Sequence, residues 1–282
     1  MRFLLQILLL AALLNHVSAQ ETTMHKEWVR LGEDSVALIT YIKPGRNHVF
    51  VHVHENETTS LAAGLYMLEQ MGGKLITIEH SITPEKNRYI TFNHKKKRYR
   101  IDPNRIFTGD SSVLLNNIEM VKGRGNIPAE VSSIVQHLAS CIWDKVKDHN
   151  IIIALHNNKN EPASCKRKWL FWTKYEPESY SILSYARTFG NSSDSNLSCS
   201  DIYLNPLYNN SDFFIVTQRQ DFDMLLQVRC PVVLQNLNPV DDGSMSVFAA
   251  MNDIRYINSE AKHGNAQEQE TLLNILLSTI YR

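Results

Sequence analysis

The run Ile151-Ile152-Ile153-Ala154-Leu155 constrains the fold more than any other stretch of the chain. Five consecutive apolar residues cannot alternate between core and solvent, so the segment reads as a strand covered on both faces. Strands of that kind belong to parallel sheets enclosed by helices. The run stops at His156-Asn157-Asn158, which places polar groups at the end of a buried strand.

The rest of the chain supplies partners for that strand. Residues 36–42 and 49–53 are β-branched runs parted by Lys43-Pro44-Gly45-Arg46-Asn47, and read as neighbouring strands. Leu61, Leu65, Leu68 and Met71 recur at helical spacing, and Gly72-Gly73 closes that helix. Residues 75–78 form a short buried strand, and 88–92 with 98–101 read as a hairpin around a basic tip. Residues 129–146 make a long amphipathic helix through Val131, Ile134, Val135, Leu138, Ile142 and Val146. Further strands are expected at 213–216, 231–234 and 255–257, and further helices at 221–227, 244–251 and 267–281. Strands alternating with helices predict a single α/β domain, with a mixed, largely parallel central sheet flanked by helices. It would span 20–282, with a Ser-, Asn- and Tyr-rich irregular insertion at about 161–212.

Composition narrows the function classes. Lys and Arg total 29 and Asp and Glu total 29, and the one basic run, His94 to Arg98, is local to the hairpin tip. No basic stripe exists for nucleic acid. Arg2, a Leu-rich core over 3–14 and Val17-Ser18-Ala19 read as a secretory signal peptide, 1–19, and so predict a secreted protein. No later stretch is long and apolar enough to span a membrane. In a secreted chain, Cys141, Cys165, Cys199 and Cys230 predict two disulfides, with the pairing open. Without a C-x-x-C spacing they do not suggest a cysteine zinc site. Asn56, Asn191, Asn196 and Asn209 head glycosylation sequons. Asn56 is expected to stay bare, since it lies inside the turn described next.

Three strand ends carry chemistry. His54 and Glu57, spaced H-x-x-E, follow residues 49–53; His156 follows 151–155; Glu260 follows 255–257. In a parallel sheet these ends share one edge, where α/β folds place ligands. Two histidines and a carboxylate make a three-donor zinc site with an open position, beside which Glu260 could handle a proton. Neither a G-x-S-x-G elbow nor a phosphate-binding glycine loop is present.

The ordered set His54-Glu55-Asn56-Glu57, Asp102-Pro103-Asn104-Arg105-Ile106-Phe107, Ala154-Leu155-His156-Asn157 and Glu260 resembles the zinc carboxypeptidase superfamily. It is most similar to the aspartoacylase and succinylglutamate desuccinylase branch, which carries H-G-N-E, D-L-N-R-x-F, D-L-H-N and a strand-borne Glu. Ala154 stands where that branch often has Asp. The resemblance implies one Zn2+ on His54, Glu57 and His156, and Glu260 as general base. It implies an oxyanion arginine at Arg98 or Arg100, and Asn104 with Arg105 on a substrate carboxylate. The substrate would be a small molecule or peptide, either an N-acyl amino acid or a peptide C-terminus. A non-catalytic binding glycoprotein of the same fold is the alternative. His52, on the same strand parity as His54, reads as a core histidine. His263 and Glu268 read as a solvated helix start, Tyr256 as core, and Asp241-Asp242-Gly243-Ser244 as a turn and helix cap.

Overall fold

Residues 21–158, 167–169, 172–174, 181–191 and 197–281 are described by a computed structural model. The expected signal peptide, Cys165, Asn196 and much of the expected 161–212 insertion lie outside the described residues.

The chain opens with β1 (Thr23–Leu31), β2 (Asp34–Lys43) and β3 (His48–His52). Helix α1 (Thr58–Met71) and β4 (Gly73–Glu79) follow, then β5 (Ile90–His94) and β6 (Lys97–Ile101). After α2 (Ser111–Asn116) and β7 (Ile118–Lys122) come α3 (Ala129–Val146) and β8 (Ile151–Asn158). A small ladder, β9 (Arg167–Trp169) with β10 (Trp172–Lys174), precedes α4 (Ile182–Asn191), β11 (Cys199–Tyr203) and β12 (Phe213–Val216). The remainder is α5 (Arg219–Gln227), β13 (Val232–Gln235), α6 (Met245–Met251), β14 (Tyr256–Lys262) and α7 (Ala266–Ile280).

Among the described residues the main sheet has nine strands, ordered β1-β2-β4-β3-β8-β14-β12-β13-β11. Its centre, β4-β3-β8-β14, is parallel throughout. The flanks add antiparallel pairs at β1-β2, β2-β4, β12-β14 and β11-β13, and one parallel pair at β12-β13. The sheet is therefore mixed, with its parallel block where the apolar run of β8 lies.

Alternation along β8 divides the core. Ile151, Ile153 and Leu155 meet α1, α5 and α7 through Met67, Leu225 and Leu276. Ile152 and Ala154 turn to the other face, under α3, α6 and the separate three-stranded sheet β5-β6-β7. Each such large aliphatic contributes about 1.5–3 kcal/mol by leaving water, so β8 anchors both layers.

Two sequence expectations change here. Residues 36–42 and 49–53 are not neighbours, because β4 pairs with both β2 and β3 and lies between them. The intervening turn passes over the end of α1, where the Arg46 amide donates to the Met71 carbonyl, and this leaves room for β4. In α1 the fully buried stripe is Ser60, Ala63, Gly64, Met67 and Leu68; of the four expected positions Leu68 belongs to it, while Leu61, Leu65 and Met71 pack at its edge, partly buried. A Cβ at Gly64 would meet Leu155 Cδ1 at 2.3 Å, so the glycine lets the helix lie close on β8.

The two-disulfide expectation is not met among the described residues. Cys141, Cys199 and Cys230 are free thiols. Cys141 lies on α3, Cys199 at the start of β11 and Cys230 just before β13, and they belong to three separate apolar clusters. None of the helices among the described residues is long and apolar enough to cross a membrane.

Candidate metal centre

Register brings the predicted donors together. Strands β3, β8 and β14 run side by side in one direction, and Glu260 lies opposite His156 in the β14-β8 ladder. His156 shares parity with Ala154 and Glu260 with Tyr256, so both project toward the face covered by β5-β6-β7. His54 and Glu57 close the group from the turn between β3 and α1, where the Glu57 amide donates to the His54 carbonyl. A cavity of about 290 Å3 opens at this edge, lined by Glu57, Arg88, Asp102, His156 and Glu260 among others.

The three donors converge closely. His54 Nδ1 lies 2.9 Å from Glu57 Oε1, and His156 Nδ1 lies 3.2 Å from Glu57 Oε2. The two Nδ1 atoms are 3.1 Å apart. His54, Glu57 and His156 form the group fit to hold one metal ion, with donor atoms all within 4.8 Å of one another. Their exposures are 0%, 2% and 4%.

Neighbours orient each donor. His54 Nε2 donates to Asp102 Oδ1 at 2.7 Å, which leaves Nδ1 as the lone-pair nitrogen facing Glu57 and His156. A carboxylate on the far nitrogen is the usual support for a metal-binding imidazole. The Asn157 amide donates to Glu57 Oε2, and Arg88 Nη1 donates to Glu57 Oε1 at 2.6 Å. Asn157 in turn donates to Gln269 Oε1, and Gln269 Nε2 donates to the His156 carbonyl. His156 Nε2 is buried without a partner, and Ala154, two residues earlier on the same face, offers only a methyl group, which cannot accept from it.

Electrostatics match this geometry. Burial opposes a charge on His54, but Glu57 and Asp102 hold its pKa above the ordinary histidine value. Burial also opposes the Glu57 charge, yet His54 and His156 keep it well below the ordinary range. Asp102 is likewise depressed, since His54 and Arg88 overcome its burial. Glu260 goes the other way: burial, with help from Glu57, raises its pKa against the pull of His156 and of Asn258, which donates to Oε1. Two nitrogens facing one ionised carboxylate suit a borderline cation such as Zn2+. The donor chemistry of the site fits that metal.

The other predicted residues divide. Asn104 and Arg105 line the cavity, and Arg105 pairs with Asp242. Arg98 and Arg100 are not brought to it. Arg98 donates to Thr91 Oγ1, and Arg100 pairs with Glu119 and stacks on Tyr89, both on the outer face of the hairpin. Their alternation with buried Tyr99 and Ile101 sends them away from the core, whereas Asp102 lies just past the end of β6. Besides Arg105, the arginine that lines the cavity is Arg88, whose Nε also lies 3.4 Å from Asp102. No periodic pattern marks it in the sequence; it stands at the end of the 80–89 loop.

Several bland readings hold. His52 is a core histidine, bonded through Nδ1 to Thr77 Oγ1 and through Nε2 to the Glu57 carbonyl, with burial holding its pKa near 4. Ser244 caps α6, and Tyr256 is buried. Asn56 is half-buried with Oδ1 enclosed, while Asn209 is exposed.

Fold and site together define an α/β protein with a buried His-Glu-His group beside a buried carboxylate, Glu260. No protein-family model matches the chain, and no curated protein sequence does. Among solved structures it is similar to an aspartoacylase family protein from Mesorhizobium loti, at 12% identity and TM-score 0.42, over 93% of this chain and 68% of that one. The apo ectoine utilization protein EutE (DoeB) from Ruegeria pomeroyi gives 10% identity and 0.40, over 93% and 68%. A cytosol aminopeptidase from Coxiella burnetii gives 12% and 0.37, over 97% and 64%. These are distant likenesses of architecture; the chemistry of the site follows from its own atoms.

Proposed function

We propose that this chain is a secreted, zinc-dependent amide hydrolase whose substrate carries a free carboxylate beside the scissile bond. The observation that carries this reading is the convergence of His54, Glu57 and His156 at the floor of a cavity that Glu57, His156, Glu260, Arg88 and Arg105 line.

His54, Glu57 and His156 would hold the zinc, which when bound lowers the pKa of water and polarises a carbonyl. Glu260 takes a proton and returns it to the leaving amine. Its raised pKa suits that exchange, because a base poised nearer the working pH both accepts and gives up a proton readily. Arg88 supplies the positive charge at the cavity wall for a developing oxyanion, a role that Arg98 and Arg100 are badly placed to fill. One such donor is worth about 3 kcal/mol of barrier. Asn104 and Arg105 hold the substrate carboxylate through a fork that lysine cannot reproduce. Asp242 pairs with Arg105 in the free protein, so an incoming carboxylate must displace it.

The test is metal content with turnover. Purified protein should hold about one zinc per chain and hydrolyse N-acyl amino acids or C-terminal peptide bonds. Glu260→Gln should keep the zinc and lose about 100-fold or more in kcat. A second reading, a binding protein without turnover, draws on the unpartnered His156 Nε2 beside Ala154. Protein free of zinc that hydrolyses neither substrate class would favour it.

A further inference from the structure

The small sheet β5-β6-β7 has two unlike faces. Ile90, Phe92, Tyr99 and Ile101 are buried in the core. Thr91, Asn93, Arg98 and Arg100 alternate with them and pair across the strands, Thr91 with Arg100 and Asn93 with Arg98. This outer face, the start of β2 and the 80–89 loop enclose a second cavity of about 770 Å3. It adjoins the metal-site cavity, because Arg88 and Tyr89 line both.

Its charge is one-sided. Arg88, Arg98 and Arg100 line it against a single lining carboxylate, Asp34, with Arg88 already paired to Glu57 and Asp102 on the metal-site side. Asp34 is already engaged by the amide and side chain of Asn93, at 2.6 and 3.0 Å. Arg100 is held by Glu119 and by the Tyr89 ring, 5.1 Å from its guanidinium carbon. Arg98 donates to a neutral hydroxyl, Thr91 Oγ1 at 3.0 Å, and no carboxylate pairs with it among the described residues. A guanidinium in a cleft with no anion of its own is suited to bind one from outside. Ile82, fully exposed, and Tyr89 give the same cleft apolar surface. A space of this size takes a ligand of several residues rather than a small acyl group.

We propose that this second cavity is an extended subsite for an acidic peptide segment, lying beyond the scissile bond on the side away from Arg105. The assignment rests on the hydrolase reading for its direction along the substrate, and on the cavity itself for its charge preference. Arg98 is the residue that recognises the acidic side chain, and Tyr89 with Ile82 supports the peptide backbone.

The experiment uses the full protein and two N-acetylated pentapeptides, one with glutamates at its two N-terminal positions and one with glutamines there. Binding is read by calorimetry and hydrolysis by amine release. The glutamate peptide should bind about fivefold tighter, with the difference shrinking as salt rises. Arg98→Gln should abolish that preference while leaving hydrolysis of an N-acetyl amino acid, too short to reach the cleft, unchanged. Equal binding of the two peptides, or a preference that survives Arg98→Gln, overturns the subsite. An inactive protein that still prefers the glutamate peptide supports the subsite and overturns hydrolysis. An active enzyme without preference does the reverse.

Discussion

The metal-site cavity has two walls of different construction. One is carried by the central sheet: His156 and Glu260 on paired strands, His54 and Glu57 in the turn leaving a third, all at most 4% exposed. The other is carried by connections: Arg88 at the end of a loop, and Asp102, Asn104 and Arg105 in the turn after β6, all half-buried. Groups that must meet within tenths of an ångström are fixed by the ladder and by the Asn157–Gln269 bonds behind it. Groups that meet a variable substrate lie where the backbone can give way.

The largest expected effect falls on the sheet wall. Glu57→Ala leaves His54, His156 and Arg88 without their shared carboxylate, and should cost about 3–5 kcal/mol in chemical denaturation. It should also take zinc content toward nil, and retention of the metal would show that the carboxylate is not a donor. Crossing to the loop wall, Asp102→Asn keeps the shape but weakens the partner of His54 Nε2. Zinc affinity, read by chelator competition, should fall about 10- to 100-fold with the fold intact. Unchanged affinity would mean that the two walls act independently.

A smaller effect tests what holds the loop wall. Buried Glu55 accepts from the amides of His80 and Ser81 and from Lys86 Nζ, so it ties down the segment that delivers Arg88. Glu55→Gln should cost about 1–2 kcal/mol and speed hydrogen exchange across 80–88, with zinc content unaltered. Exchange at the wild-type rate would locate the restraint elsewhere. The smallest effect at neutral pH belongs to the opposite end of the sheet wall. Burial, with His149 and Arg46 nearby, holds His48 near pKa 4, below its ordinary value of 6.5. Between those values the unfolded chain takes up a proton that the folded one refuses, so stability falls as pH drops through that window. The slope is up to about 1.4 kcal/mol per pH unit, and His48→Gln should flatten it in pH-dependent melts.

The same division governs what could be read in advance. The sheet wall was legible because each donor follows an apolar run, and because one parallel orientation puts those ends together. Helix α3 was legible to its boundaries from spacing alone. The loop wall was legible only in part: Asn104 and Arg105 line the cavity as expected, but Arg88, Arg98 and Arg100 are alike in type, and Arg88 lies in the loop before β5 where no strand pattern sets it apart. Strand order also escaped: a four-residue gap between β2 and β3 suggests a hairpin, and the insertion of β4 depends on where α1 packs. The thiols show a different limit, for an even cysteine count carries no information on which clusters they enter.

Gln269 lies on α7, more than 100 residues after His156 in the chain, and Tyr281 just beyond that helix bonds back to His48 at the base of β3. His54, Glu57 and His156 are thus synthesised well before the brace that orders them. During synthesis the nascent chain would carry its metal donors as an unformed set, with low affinity for any passing cation. Competence would arrive late and all at once when α7 docks, a long-range closure of the kind that sets slow folding steps. The brace times the site as well as stiffening it.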